Sequence, residues 1–228
     1  MISSTGIPDV QQNMIHAPGG LFITVEGADG TGKTTHAGLL ADRLRKEGRD
    51  TILTREPGGG GAVASALREL LLHGDDMADR TELLLFFAAR SEHVAHVIRP
   101  AINSGSIVVC DRYTDSTLAY QGYGLNIPLE MIYRLHEIAT GDLWPDLTIL
   151  LDLDPAESAD RLHDHNRMEG RGMEFQHRVR NGFLSLAETA ADRYVIVPSS
   201  GPMEEVHAAV WDAVRARLPL QQTGCAGS

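Results

Sequence analysis

Cationic side chains are scarce in this chain: 20 lysines and arginines stand against 31 aspartates and glutamates, for a formal net charge of −11. Proteins that bind nucleic acid neutralise phosphates with a broad basic surface, so this balance excludes that class. A small phosphorylated ligand is still compatible, because a few arginines gathered in one cleft reverse the local potential while the rest of the surface stays acidic. Cysteine is rarer still. Cys110 and Cys225 are the only two, too few for a disulfide framework and consistent with a reducing cytoplasm. No apolar run approaches the roughly 18 residues needed to cross a bilayer, so no membrane partner is expected. Residues 1–19 lack the basic start and apolar core of a secretory signal, and residues 219–228 are mostly small or polar. Both read as flexible extensions around a single domain over residues 20–218.

The apolar runs that do occur are short: LFITV (21–25), TIL (51–53), SIVVC (106–110), LTILL (147–151) and YVIV (194–197). They are rich in β-branched residues and mostly unalternating, as strands covered on both faces of a parallel sheet are. Helical spacing lies between them. Ala37, Leu40, Ala41 and Leu44 fall at i, i+3, i+4 and i+7, and a long helical stretch covers 81–104. Alternating strand and helix predicts an α/β fold of three layers, a five-stranded parallel sheet with helices on both faces.

Directly after the first strand stands Gly27-Ala28-Asp29-Gly30-Thr31-Gly32-Lys33-Thr34, followed by Thr35. This is the G-x4-G-K-[ST] phosphate loop opening a helix. Its glycines let backbone N–H groups converge on phosphate oxygens, and the helix N-terminus adds positive potential. Lys33 is placed to reach the β- and γ-phosphates of ATP, and the Thr34 hydroxyl to ligate Mg2+. Such a loop serves many enzymes, so the substrate has to be read elsewhere.

The third strand ends in Asp111-Arg112-Tyr113, with Ser116, Thr117, Tyr120 and Gln121 following. A carboxylate at the carboxyl end of a parallel strand sits where such sheets bind ligands and can hold the magnesium shell. Arg112 can fork onto a phosphate. Phe86 and Arg90 are four residues apart and share a helix face, offering a stacking surface and a donor for a pyrimidine carbonyl.

The segment DRYTDSTLAYQG resembles the signature of bacterial thymidylate kinases, as does Thr54-Arg55-Glu56-Pro57-Gly58-Gly59. The resemblance extends from about Leu21 to Val214. It implies a P-loop kinase fold with an arginine-containing lid near 160–175, transfer of the ATP γ-phosphoryl to dTMP with Mg2+, and a homodimer. Arg55 and Arg112 would bind the acceptor phosphate. Phe86 would stack on thymine and Arg90 would bond its O4. Asp29, Ser116, Thr117, Tyr120 and Gln121 would complete the dTMP site.

The phosphate loop contains no arginine, which matches the bacterial subgroup whose catalytic arginine comes from the lid. In RLHDHNRMEGRGMEFQHRVRNGF the favoured catalytic residues are Arg161 and Arg167, beside Lys33 and Arg112, with Arg171 in reserve. Three departures stand out. The lid is about three residues short, Pro198 replaces the family's aspartate at the adenine end, and Gly60-Gly61 replace Thr-Pro after Gly59, a change expected to loosen that loop. The chemistry needs no general base, because a nucleoside monophosphate is already nearly dianionic at neutral pH; its second pKa is about 6. Three alternatives stay open: a kinase of another deoxypyrimidine monophosphate, a deoxynucleoside kinase with Glu56 as base, and an inactive ATP-binding regulatory relative.

Overall fold

The computed structural model describes residues 20–159 and 171–218. Arg161 and Arg167, and most of the expected lid, lie outside them. Five parallel strands form one sheet: β1 (Leu21–Glu26), β2 (Thr51–Arg55), β3 (Ile107–Asp111), β4 (Leu147–Asp152) and β5 (Tyr194–Pro198), in the order β2-β3-β1-β4-β5. All five apolar runs of the sequence are strands. Every residue of β1 and β3 is buried, whereas β2 and β5, at the edges, are partly exposed. That contrast explains why the central runs carry no polar alternation.

Helix α1 (Lys33–Lys46) returns from the phosphate loop, with Ala37, Leu40, Ala41 and Leu44 all buried against the sheet beside Val210 and Trp211 of α9 (Met203–Arg215). The other face is covered by α3 (Asp79–His93), α4 (Arg99–Asn103), α6 (Leu129–Thr140) and α8 (Met173–Thr189), with α2 (Ala62–His73) packed on α3, and α5 (Thr114–Thr117) and the short α7 (Pro155–Ala159) packed against α8. Phe175, Val179 and Phe183 of α8 pack there with Leu83, Phe87 and Tyr120. Arg180 of α8 clamps Asp152 and Asp154 at the end of β4, both at 2.8 Å. Among the described residues no helix is long and apolar enough to cross a membrane.

The helical stretch predicted over 81–104 is interrupted. α3 passes into a π-helical segment, Val94–Ile98, before α4 begins. Pro100 is the cause: it has no N–H to donate, and its ring would strike the carbonyl of His96, so the wider turn relieves the clash. Register then gathers the chemistry. Val25 and Arg55 both pair with Asp111, so the carboxyl ends of β1, β2 and β3 lie level at one edge of the sheet. That edge is where open α/β sheets bind ligands.

Candidate active site

A cleft of about 370 Å³ opens at this edge, lined by the phosphate loop, the end of β2, α2, α3 and the segment after β3. Helix α1 starts from Gly32 in the left-handed region (φ 86°), with no side chain capping its N-terminus and no acidic residue in its first turn. Its first N–H groups therefore face the cleft unneutralised, as an anion-binding helix end requires. Lys33 is buried and donates to the Ala28 carbonyl at 2.6 Å. Burial, reinforced by the charge of Arg112, lowers its ammonium from 10.5 to about 8. Asp29, Gly30, Gly32, Thr34 and Thr35 line the cleft with it.

Thr34 donates its hydroxyl to Asp111 Oδ2 at 2.5 Å, while Asp111 Oδ1 is buried without a hydrogen-bond partner. A hydroxyl and a carboxylate converging on one point, with an unsatisfied oxygen, suit a hard divalent cation.

Arg112 is the hub of the cleft. Its Nη1 donates to the Gly27 carbonyl at 3.0 Å and to Ser116 Oγ at 3.1 Å, and its Nη2 contacts Asp29 and reaches the Tyr120 hydroxyl at 3.2 Å. Its backbone sits at φ +69°, a left-handed conformation that a non-glycine residue adopts at a cost of roughly 1–2 kcal/mol. Glu26 holds that turn in place, accepting from the Tyr113 N–H at 2.7 Å and the Ser116 hydroxyl at 2.6 Å. Burial, with the charge of Asp115 added, pushes the Glu26 carboxyl up to about 8.

Farther out lie Phe86 and Arg90, one turn apart on α3 and both on the cleft wall. Arg90 is held from three sides: Nε on Glu56 at 2.7 Å, Nη2 on Thr117 Oγ1 at 2.9 Å and on the Tyr113 carbonyl at 3.2 Å. Its Nη1 is buried with no partner. Glu56 also contacts His93 Nδ1 at 2.9 Å, and His93 Nε2 contacts Thr54 Oγ1 at 2.7 Å. Burial alone would raise the Glu56 carboxyl, but Arg90 and His93 outweigh it and hold it below the ordinary range. With both oxygens engaged it is a poor proton acceptor, which removes the support for Glu56 as a general base. Gln121 donates to Glu82 Oε1 at 2.8 Å, and Arg171 to Glu82 Oε2 at 2.7 Å. The reserve lid arginine is thus tied to α3.

The structure brings all the expected acceptor residues to one cleft, with Arg55 on its wall. It places the four-glycine loop differently from expectation. A Cβ on Gly60 would lie 2.5 Å from His93 N and 2.7 Å from Glu92 C, so the loop is seated on the end of α3, and its lack of side chains is what permits the contact. Sequence reasoning passed over Glu26, Glu82, His93 and Arg68. A lone carboxylate closing the apolar strand LFITVE was the one visible signal for Glu26.

A phosphate loop with its lysine and hydroxyl, facing a cleft with further arginines and an aromatic wall, defines a P-loop phosphotransferase whose acceptor is itself a nucleotide. The thymidylate kinase family profile matches residues 25–210. A thymidylate kinase of Synechococcus is 50% identical over 204 residues, spanning 90% of this chain and 98% of that protein. One from Bifidobacterium longum is 48% identical over 197 residues, 84% of this chain and 95% of that protein. The crystal structure of thymidylate kinase from Ehrlichia chaffeensis superposes with a TM-score of 0.74 at 36% identity, covering 86% of this chain and all of that one. The chain belongs to the thymidylate kinase family, ATP-dependent nucleoside monophosphate kinases.

Proposed function

We propose that the chain transfers the ATP γ-phosphoryl to the 5′-phosphate of dTMP, with the work divided along the cleft. Lys33 and the N-terminus of α1 hold the donor phosphates. Thr34 and Asp111 would hold Mg2+, which supplies charge neutralisation between the phosphates when bound. Arg112 and Arg55 draw the acceptor phosphate into line, so that two repelling anions meet in a fixed geometry. Phe86 offers its ring to the base, and Tyr120, beside Arg112, bounds the sugar.

The observation that carries the reading is the orphaned Nη1 of Arg90, a buried donor beside Phe86 in the same cleft as Lys33. A guanidinium can only donate. It therefore suits the O4 carbonyl of thymine or uracil and repels the amino group of cytosine. An ADP-release assay across dTMP, dUMP, dCMP and thymidine tests this: turnover is expected on dTMP, less on dUMP and little on dCMP. Turnover of thymidine without turnover of dTMP overturns the reading.

A second copy of the chain is the proposed partner. Val63 and Leu70 of α2 and Leu84 of α3 are exposed, on helices that pack together. A light-scattering mass of twice 24.8 kDa is the expected result, and a monomer mass overturns it.

A further inference from the structure

Glu26 closes β1 with a side chain that no solvent reaches, behind the Arg112 turn. The charged and titratable groups around it are Arg112 and Asp115 after β3, Cys110 on β3, Lys33 at the start of α1, and Arg193 and Tyr194 at β5. Each cation of that set is engaged elsewhere. Lys33 donates to the Ala28 carbonyl at 2.6 Å, Arg112 contacts Asp29, and Arg193 forks onto Asp115 at 2.6 and 2.7 Å. None of the ion pairs among the described residues includes Glu26. A buried carboxylate without a bonded cation, and with a second carboxylate nearby, takes up a proton more readily than it stays charged.

The hydrogen bonds decide which oxygen carries that proton. The Tyr113 N–H can only donate, so Oε1, at 2.7 Å, accepts. The proton is left for Oε2, which lies 2.6 Å from Ser116 Oγ. Ser116 Oγ also receives Arg112 Nη1 at 3.1 Å. A hydroxyl has two lone pairs and one hydrogen. With Glu26 in its acid form both lone pairs are taken, and among the described residues no further group accepts the hydrogen. Ser116 lines the cleft beside Arg112, so the hydrogen is turned into it. With Glu26 ionised, the carboxylate takes that hydrogen and the cleft loses a donor.

We propose that Glu26 is a positioning residue for the transfer: as a carboxylic acid it donates to Ser116 and thereby aims the Ser116 hydroxyl at the acceptor phosphate held by Arg112. The inference rests on the acceptor site described under Proposed function and adds a residue that never touches substrate. It also ties binding to a proton. A dianion docked against Ser116 favours the acid form, so dTMP should draw a proton onto Glu26 where the free chain begins to lose it, near pH 8.

Calorimetric affinities for dTMP, thymidine and inorganic phosphate, taken without ATP from pH 7 to 9 in buffers of different ionisation enthalpy, test the proposal. The second pKa of the substrate phosphate, about 6, lies below this window. Lys33, which also titrates near 8, does so in parent and variants alike. Across the window the parent should lose about tenfold in dTMP affinity, as loss of one hydrogen bond to a charged group gives, and should take up protons on binding. Both effects should vanish in Glu26→Gln, whose amide accepts from Tyr113 and donates to Ser116 at every pH. Glu26→Ala should bind dTMP about tenfold more weakly at the lower end of the window, and the Gln variant should recover most of that loss. Thymidine affinity should stay flat in all of them. Parallel dTMP profiles for the parent and Glu26→Gln overturn the proposal, as does an equal pH dependence for thymidine. Thermal melts identify a Glu26 variant that fails to fold; Ser116→Ala then decides alone, because a pH dependence undiminished in it overturns the proposal. If the parent binds no dTMP at any pH, the proposed function falls instead, and the same series with inorganic phosphate decides the Ser116 contact.

Discussion

The two ends of the cleft are built by opposite means. The donor end is one contiguous segment, Gly27 to Thr35, in which backbone N–H groups, a helix terminus and one lysine supply the field. The acceptor end is assembled from side chains of β2, α2, α3 and α5. Two of the arginines there are seated by carboxylates distant in sequence: Arg90 by Glu56, 34 residues away, and Arg112 by Asp29, 83 residues away. Backbone donors need no orienting, because the fold fixes them. Guanidiniums on flexible stems do need it, and buried carboxylates behind them provide it. Loss of a supporting carboxylate should therefore disturb the acceptor end and leave the donor end intact.

The sharpest break of that contrast is Arg112→Ala, since Arg112 touches both ends. Turnover should fall by on the order of 10³-fold with the circular dichroism spectrum unchanged, as for loss of a key transition-state donor. Near-normal turnover would show that the acceptor phosphate is aligned without it. Asp111→Asn comes next. It should raise the Mg2+ concentration needed for half-maximal rate by roughly 10- to 100-fold, and an unaltered Mg2+ titration counts against Asp111 as part of the cation shell. Glu56→Gln should act on one end only. It frees Arg90 and His93, so the KM for dTMP should rise about tenfold while that for ATP holds; equal changes in both would erase the distinction between the two ends.

The smallest expected effect is a pH dependence. Glu26 titrates near 8 in the folded chain and near its ordinary 4.5 when unfolded. The folded state therefore holds the extra proton between those values. Its contribution to stability is complete below 4.5, declines as pH rises, and is gone above about 8. Melting temperatures of the parent chain and Glu26→Gln, taken from pH 5 to 7.5, should move against the parent as pH increases. A gap constant with pH would mean that Glu26 is ionised throughout.

Much of the fold was legible because parallel strands covered on both faces need uninterrupted apolar runs. LFITV and SIVVC announce themselves that way, and the helix after Lys33 shows its buried face in the spacing of Ala37, Leu40, Ala41 and Leu44. The phosphate loop was legible for a related reason, since all its parts are adjacent in sequence. Phe86, Arg90 and Arg112 could be picked out by residue type and by resemblance. Their supports could not. Glu82 reads as a solvated charge at the start of a helix, yet it is wholly buried between Gln121 and Arg171, a pairing set only by tertiary contact. The π segment at Val94–Ile98 was foreshadowed by Pro100, but a proline in a helical pattern does not say whether the helix ends, kinks or widens.

Cys110, wholly buried on β3 next to Asp111, donates its thiol to the Arg112 carbonyl at 3.0 Å, and burial pushes that thiol well up. Alkylating reagents attack the thiolate, so the sulfur is silent while the sheet is closed. In a Cys225→Ser background the residue becomes a clock for opening of the central strand. Its labelling rate with and without dTMP would report how much of the grip on substrate is transmitted into the cohesion of the sheet itself.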